Sequence, residues 1–156
     1  MRLAIIAVGT RMPDWVEAGF AEYQKRMPRE ARIELIEIRP EKRESGRSKE
    51  QVLQAEAARI EAALPRGALR VVLDEHGQGL TSRLLAAKLD AWLASGRDVA
   101  FLIGGADGLA YEIKRQADLT WSLSPLTLPH GLVRVLVAEA LYRAMSIRQG
   151  HPYHRP

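Results

Sequence analysis

The chain contains no cysteine. That excludes disulfides and thiolate metal sites, and it removes any argument for an oxidising compartment. Aromatic residues are scarce, at 6%, so aliphatic side chains and alanine must carry the packing. A long hydrophobic run is missing too. The opening stretch Leu3–Val8 is six residues long and stops at Gly9, shorter than a secretory h-region and far short of a membrane span. It reads as a buried strand of a cytoplasmic protein with no membrane partner. Internal repeats, low-complexity tracts and interdomain linkers are absent as well, so residues 1–156 read as a single domain.

What is present is ordinary for a globular protein, with 47% apolar and 27% charged residues. Lys and Arg outnumber Asp and Glu by 23 to 19, a balance that permits a polyanionic partner without demanding one. Distribution says more than the sum. Arg39, Lys42, Arg43, Arg47 and Lys49 crowd one stretch against Glu41 and Glu44. A solvated surface and an RNA contact are both open readings of that cluster.

Apolar, β-branched runs alternate with segments of helical period. Strands are expected at Leu3–Val8, Ile33–Ile38, Leu69–Leu73, Val99–Ile103 and Leu119–Leu123. Helices are expected over Pro13–Met27, from Ser48 to Leu64, from Thr81 to Ala94, over Ala110–Ala117 and from Gly131 to Gln149. Ser48 with Gln51 three residues on suits a capping box, and Gly96 suits a helix stop. Asp74–Gly79 reads as a turn. The alternation predicts an α/β fold, a mostly parallel sheet flanked by helices. On the last helix, Val133, Leu136, Val137, Ala140, Ala144 and Ile147 form one apolar face. Val135, Ala138, Leu141, Tyr142 and Met145 form a second, set apart by Arg134 and Arg148. A second stripe fits either a partner copy related by two-fold symmetry or burial between layers of the same chain.

Ligands in open α/β sheets sit beyond the carboxyl ends of strands. Three such ends draw notice: Asp74–Gly79 around His76, Gly104-Gly105-Ala106-Asp107-Gly108, and Leu123–His130. The glycine cluster has neither dinucleotide nor P-loop spacing, and a tight turn explains it equally well. Leu123–Leu128 is apolar for an exposed loop, which points to a pocket lining. No serine sits in a G-x-S-x-G elbow. His151 and His154 make an H-x-x-H pair, but Pro152 between them and the lack of H-E-x-x-H context leave no metal expected. The stretch His151-Pro152-Tyr153-His154-Arg155 offers a stacking ring, an imidazole and a guanidinium. These suit an unpaired RNA base, and a frayed terminus is the plain alternative.

Taken together, Leu123–His130, Leu132–Ala144 and His151–Arg155, with Leu3 to Gly9, Leu73-Asp74 with Gly77, and Phe101–Gly108, closely resemble the bacterial RlmH family. These are ribosomal large-subunit RNA pseudouridine N3-methyltransferases of the SPOUT superfamily. The resemblance spans the whole chain. It implies a C-terminal trefoil knot, which periodicity alone would have rejected, and a homodimer. It also implies an enzyme that methylates N3 of a pseudouridine in 23S ribosomal RNA, within the assembled ribosome, using S-adenosylmethionine and no metal. Carried over, the cofactor site is Leu73, Gly104, Leu123, Ser124, Pro125, Leu126, Thr127 and Leu128, with Gly104 expected to let the cofactor approach. The catalytic group is Tyr153, His154 and Arg155: Tyr153 against the base, His154 near the N3 proton, and Arg155 on phosphate or developing charge. A non-catalytic ribosome-assembly factor, or a methyltransferase for another RNA such as tRNA, would carry the same fold.

Overall fold

Each β-branched run forms a strand in the computed structural model, which describes residues 1–44 and 46–156. Position 45, within the charged stretch from Arg39 to Lys49, lies outside the described residues. The strands are β1 (Arg2–Val8), β2 (Arg32–Ile38), β3 (Leu69–Gly79), β4 (Val99–Ile103) and β5 (Leu119–Ser122). All pair in parallel, in the order β2-β1-β4-β3-β5. Parallel neighbours need crossovers, and α1 (Asp14–Gln24), α2 (Lys49–Ala63), α3 (Ser82–Ser95) and α4 (Tyr111–Arg115) supply them. A further helix, α5 (His130–Arg148), follows β5, and an unanticipated 3₁₀ turn occupies Arg29–Ala31.

Local chemistry sets the helix ends. The Ser48 hydroxyl accepts from the Gln51 N–H at 3.1 Å while the Gln51 side chain accepts from the Ser48 N–H at 2.9 Å, closing the capping box. Thr81 caps α3 through the Leu84 N–H at 3.1 Å. Gly96 ends that helix in the left-handed conformation, at φ 70°.

The strand pleat divides the core in two. Leu3, Ile5, Ala7, Val71, Phe101 and Ile103 face Phe20 of α1, Leu85 and Leu89 of α3, and α5. Ala4, Ile6, Val8, Val72, Ala100 and Leu102 face Ala57 and Ile60 of α2 and Ile113 of α4. Burial on both faces is why β1 and β4 read as continuous apolar runs.

Two expectations need correction, and one open alternative is narrowed. Asp74–Gly79 is not a turn closing β3 but part of the strand. β5 pairs with β3 up to Leu73 opposite Trp121, and the register then slips, so that Gln78 also faces Trp121 and Gly79 faces Ser122. The residues between bulge out of the ladder at the sheet's carboxyl end. Gly77 allows this, because a Cβ there would lie 2.6 Å from the Thr120 carbonyl oxygen.

The apolar stripes on α5 had two open readings. Ala138, Leu141 and Met145 of the second stripe are fully buried beside Val137 and Ala144, whereas Val135 and Tyr142 are half-buried. The helix lies over the sheet, with α1 and α3 packed against it. Burial between the chain's own layers accounts for the buried part of that stripe.

Third, Arg134 does not divide surface stripes. It is among the largest fully buried side chains, 1% exposed. Its Nη1 donates to Glu37 Oε2 at 2.7 Å and its Nη2 to the Gly9 carbonyl at 3.4 Å, while Nε has no partner. The pair ties the first turns of α5 to the carboxyl ends of β1 and β2. Among the described residues, no helix is long and apolar enough to cross a membrane.

Candidate active site

A cavity of about 730 Å³ opens at the carboxyl ends of β3, β4 and β5, within the size range of small-molecule sites. Its apolar wall is Leu73, Ile103, Leu123, Leu126, Leu128 and Val133, closed at depth by Trp121. Its polar rim carries Lys49, Asp74, Glu75, His76, Asp107 and Lys114. Seven of the eight cofactor residues expected from the sequence line it: Leu73, Gly104, Leu123, Ser124, Leu126, Thr127 and Leu128. Pro125 lies outside the lining, although its neighbours on both sides contribute.

The β3 bulge braces the 123–128 loop. Ser122 Oγ donates to the carbonyls of Glu75 and Ser124, each at 3.0 Å. Thr127 Oγ1 donates to Glu75 Oε2 at 2.6 Å, a short charge-assisted bond. Ser124 Oγ accepts from the Leu126 N–H at 3.0 Å. These bonds hold an otherwise irregular loop in one shape and leave Leu126 70% exposed.

Gly104 lines the cavity, but its missing side chain serves the backbone first. A Cβ at 104 would sit 2.5 Å from the carbonyl carbon and oxygen of Gly108. The 104–108 loop folds back on itself, closed by the Gly108 N–H to the Gly105 carbonyl at 3.0 Å, with Gly108 at φ 79°. The tight turn and the pocket lining are one structure.

Electrostatics at the rim centre on Asp74. Its carboxyl sits below the ordinary value of 3.8. Burial acts to raise it, but the His76 N–H at 3.0 Å, Lys114 at 3.4 Å and the His76 ring at 3.1 Å together prevail. Across the cavity mouth, Arg43 Nη2 meets Asp107 Oδ2 at 2.7 Å.

Tyr153, His154 and Arg155 do not line this cavity. Tyr153 and His154 fold back on α5 of the same chain. Tyr153 Oη donates to Glu139 Oε2 at 2.9 Å, and Arg143 Nε donates to that same oxygen at 3.1 Å. The Arg143 guanidinium lies over the Tyr153 ring, 4.7 Å from its centroid, and Tyr142 meets that ring edge-on at 4.7 Å. Arg143 Nη1 lies 3.2 Å from His154 Nδ1. Arginine can only donate, so Nδ1 is the acceptor in that contact. Burial, with the Glu139 hydrogen bond, pushes the Tyr153 phenol well above its ordinary value. Arg155 stays exposed. The cavity reaches α5 at His130 and Val133, whereas the tail packs at Glu139 and Arg143. At 1.5 Å per residue that is about 10–15 Å farther along the helix. Sequence reading missed Glu139 and Arg143 as partners of the tail. Their i,i+4 spacing was the available signal.

A parallel sheet with a pocket formed by the β3 bulge and the loops after β4 and β5 places the chain among α/β proteins that bind a ligand at the strand ends. The family described as "Predicted SPOUT methyltransferase" matches residues 1–154. The chain is 61% identical over 155 residues to ribosomal RNA large subunit methyltransferase H of Burkholderia ambifaria, covering 99% of both chains. It is 60% identical to the protein of that name from Paraburkholderia xenovorans, with the same coverage. The chain belongs to the SPOUT methyltransferases and, within them, to the RlmH family. Among solved structures, a probable methylase family protein from Haemophilus influenzae Rd KW20 shares the fold at TM-score 0.55 and 15% identity, over 99% of this chain and 70% of that one. A structure described under 2-OH methylation of C/U34 on tRNA shares it at TM-score 0.50 and 17% identity, over 93% and 91%.

Proposed function

We propose that the protein transfers the methyl group of S-adenosylmethionine to N3 of a pseudouridine in 23S ribosomal RNA, on the assembled ribosome, working as a homodimer in the cytoplasm. The observation that carries this reading is full-length identity at about 60% to proteins named for large-subunit rRNA methylation. The nucleotide position and the trefoil knot come with the RlmH resemblance. The strand order, which leaves β5 at the sheet edge while α5 returns over the sheet, suits such a knot.

The pocket fits the cofactor in size and chemistry. Its leucines offer apolar contact to an adenine ring, and the backbone of the 123–128 loop offers N–H and C=O groups to the ring edge. When bound, S-adenosylmethionine supplies a methyl group on a cationic sulfur, and the protein binds, orients and excludes water. The imide proton of N3 must leave for that nitrogen to accept the methyl group, and it would pass to solvent water. Tyr153, kept as a neutral phenol, stacks against the base. His154 lies near the departing proton, and Arg155 holds phosphate or developing negative charge.

The tail lies away from its own pocket, so a second copy supplies it. Exposed Trp15 on α1 and half-buried Leu132 and Leu136 on α5 offer an apolar face for that contact. Single-turnover transfer of labelled methyl to ribosomes and to free rRNA, with the nucleoside identified by mass spectrometry, tests the reading. Label in N3-methylpseudouridine with ribosomes preferred is expected. Transfer to tRNA in preference, or cofactor binding without transfer to any ribosomal RNA, overturns it. Chain ending at Gly150 that retains full activity overturns the role given to the tail.

A further inference from the structure

The β2–α2 connection bears a cationic cluster of Arg39, Lys42, Arg43, Arg47 and Lys49, and its charges divide into two sets. Glu41 takes up Arg47 and Arg59, each at 3.3 Å, and the Glu41 N–H donates to Glu56 at 3.0 Å. That part is internally neutralised and anchors the connection to α2. Arg39, Lys42 and Lys49 have no carboxylate within 4.0 Å among the described residues. Lys49 stands on the cavity lining itself. Arg43 joins the sets to the cavity through its 2.7 Å pair with Asp107, on the turn that shapes the cofactor pocket.

Arg43 Nη2 meets Asp107 Oδ2 at 2.7 Å, and the Arg43 side chain is 57% exposed. An exposed planar guanidinium fork can hold a carboxylate on one edge and a phosphate on another through parallel N–H bonds. Asp107 is only 22% exposed. An RNA phosphate brought beside it would meet a fixed negative charge unless a cation stood between them. Arg43 stands there.

We infer that Arg43 bridges an RNA backbone phosphate to Asp107, with Lys42 and Lys49 flanking it, and thereby makes RNA and cofactor binding mutually reinforcing. The inference rests on the proposed function and names the surface and the coupling that serve that site. A phosphate on the free edge of the fork immobilises Arg43, which fixes Asp107 and the 104–108 turn in the shape the cofactor meets. Linkage then requires that the cofactor tighten RNA binding by the same factor.

The test uses S-adenosylhomocysteine, which binds without turnover, and assembled ribosomes lacking the modification. The dissociation constant of S-adenosylhomocysteine is measured for the free protein and for protein saturated with ribosomes, then the affinity for ribosomes is measured with and without it. Expected is a tightening of about fivefold or more, equal in both directions. Arg43→Gln is expected to reduce the factor to near one; each factor is a ratio of affinities within one protein, so a change in the free variant's own affinity does not enter it. Ribosome binding with a factor of one in the unaltered protein, or an undiminished factor in Arg43→Gln, overturns the inference and leaves the proposed function standing. Failure to bind ribosomes at all overturns both.

Discussion

Placing one methyl group at position 104 discriminates sharply between a glycine needed by the backbone and one that is merely tolerated. In Gly104→Ala the new Cβ would start 2.5 Å from the carbonyl carbon and oxygen of Gly108 and 2.9 Å from its Cα, where carbon pairs settle near 3.5–4.0 Å. The obstructing atoms are backbone, so no rotamer change relieves them, and the turn must open by about 1 Å. Opening strains the Gly108-to-Gly105 hydrogen bond and overpacks the end of β4, together costing about 2–4 kcal/mol. The 104–108 loop is the softest element involved, since β4 beneath it is buried and paired on both edges. The cost is therefore expected as lost cofactor affinity, about 30-fold to nearly 1,000-fold, with thermal unfolding changed less. Gly79→Ala is the control. Nothing lies within 4 Å of its Cβ position, so stability and affinity should stay within about 0.5 kcal/mol. Calorimetric titration with S-adenosylhomocysteine and a thermal melt of each variant read both quantities. Unchanged affinity and stability in Gly104→Ala would refute the argument.

Three further outcomes are expected. Glu37→Ala leaves the buried Arg134 guanidinium with only the long Gly9 contact, and urea unfolding should show a loss of about 3 kcal/mol; a loss below about 1 kcal/mol would place the charge in water. Lys42→Gln should weaken ribosome binding and reduce the slope of log affinity against log salt by about 1, and an unchanged slope removes Lys42 from the interface. The lowered Asp74 pKa means that its contribution to stability is present above the unfolded value near 3.8 and lost as pH falls through the still lower folded value. Acid titration of Asp74→Asn should accordingly show a shallower fall in stability below about pH 4; identical profiles would contradict that assignment.

The strands and caps were legible because each depends on a few adjacent residues. Leu3–Val8 and Val99–Ile103 could hardly be anything but strands buried on both faces, and Ser48 with Gln51 announced α2 three residues at a time. The bulge at Asp74–Gly77 was not legible. Its extended conformation depends on β5, more than forty residues later, and His-Gly-Gln-Gly by itself spells a turn. Arg134 misled for a related reason. An arginine on an apolar helix reads as surface until Glu37 and the Gly9 carbonyl, both distant in sequence, gather beneath it. The pocket lining at Leu123–Leu128 was legible from its unusual apolarity, while a cofactor role for it came only with the family resemblance. The packing of Tyr153 and His154 on Glu139 and Arg143 was hidden, because a short stretch after a helix carries no periodicity to say where it lies.

The cavity walls come from residues 73–76, 103–108 and 123–133, with the brace between Glu75 and Thr127 joining segments 52 residues apart. A ribosome synthesising this chain has made almost the whole sheet before any of the third wall exists. Cofactor binding cannot grow by degrees as the nascent chain lengthens. The complete cavity exists only when α5 has emerged and folded across the strands, so a chain stalled after β5 would lack both that wall and the helix over which α1 and α3 pack.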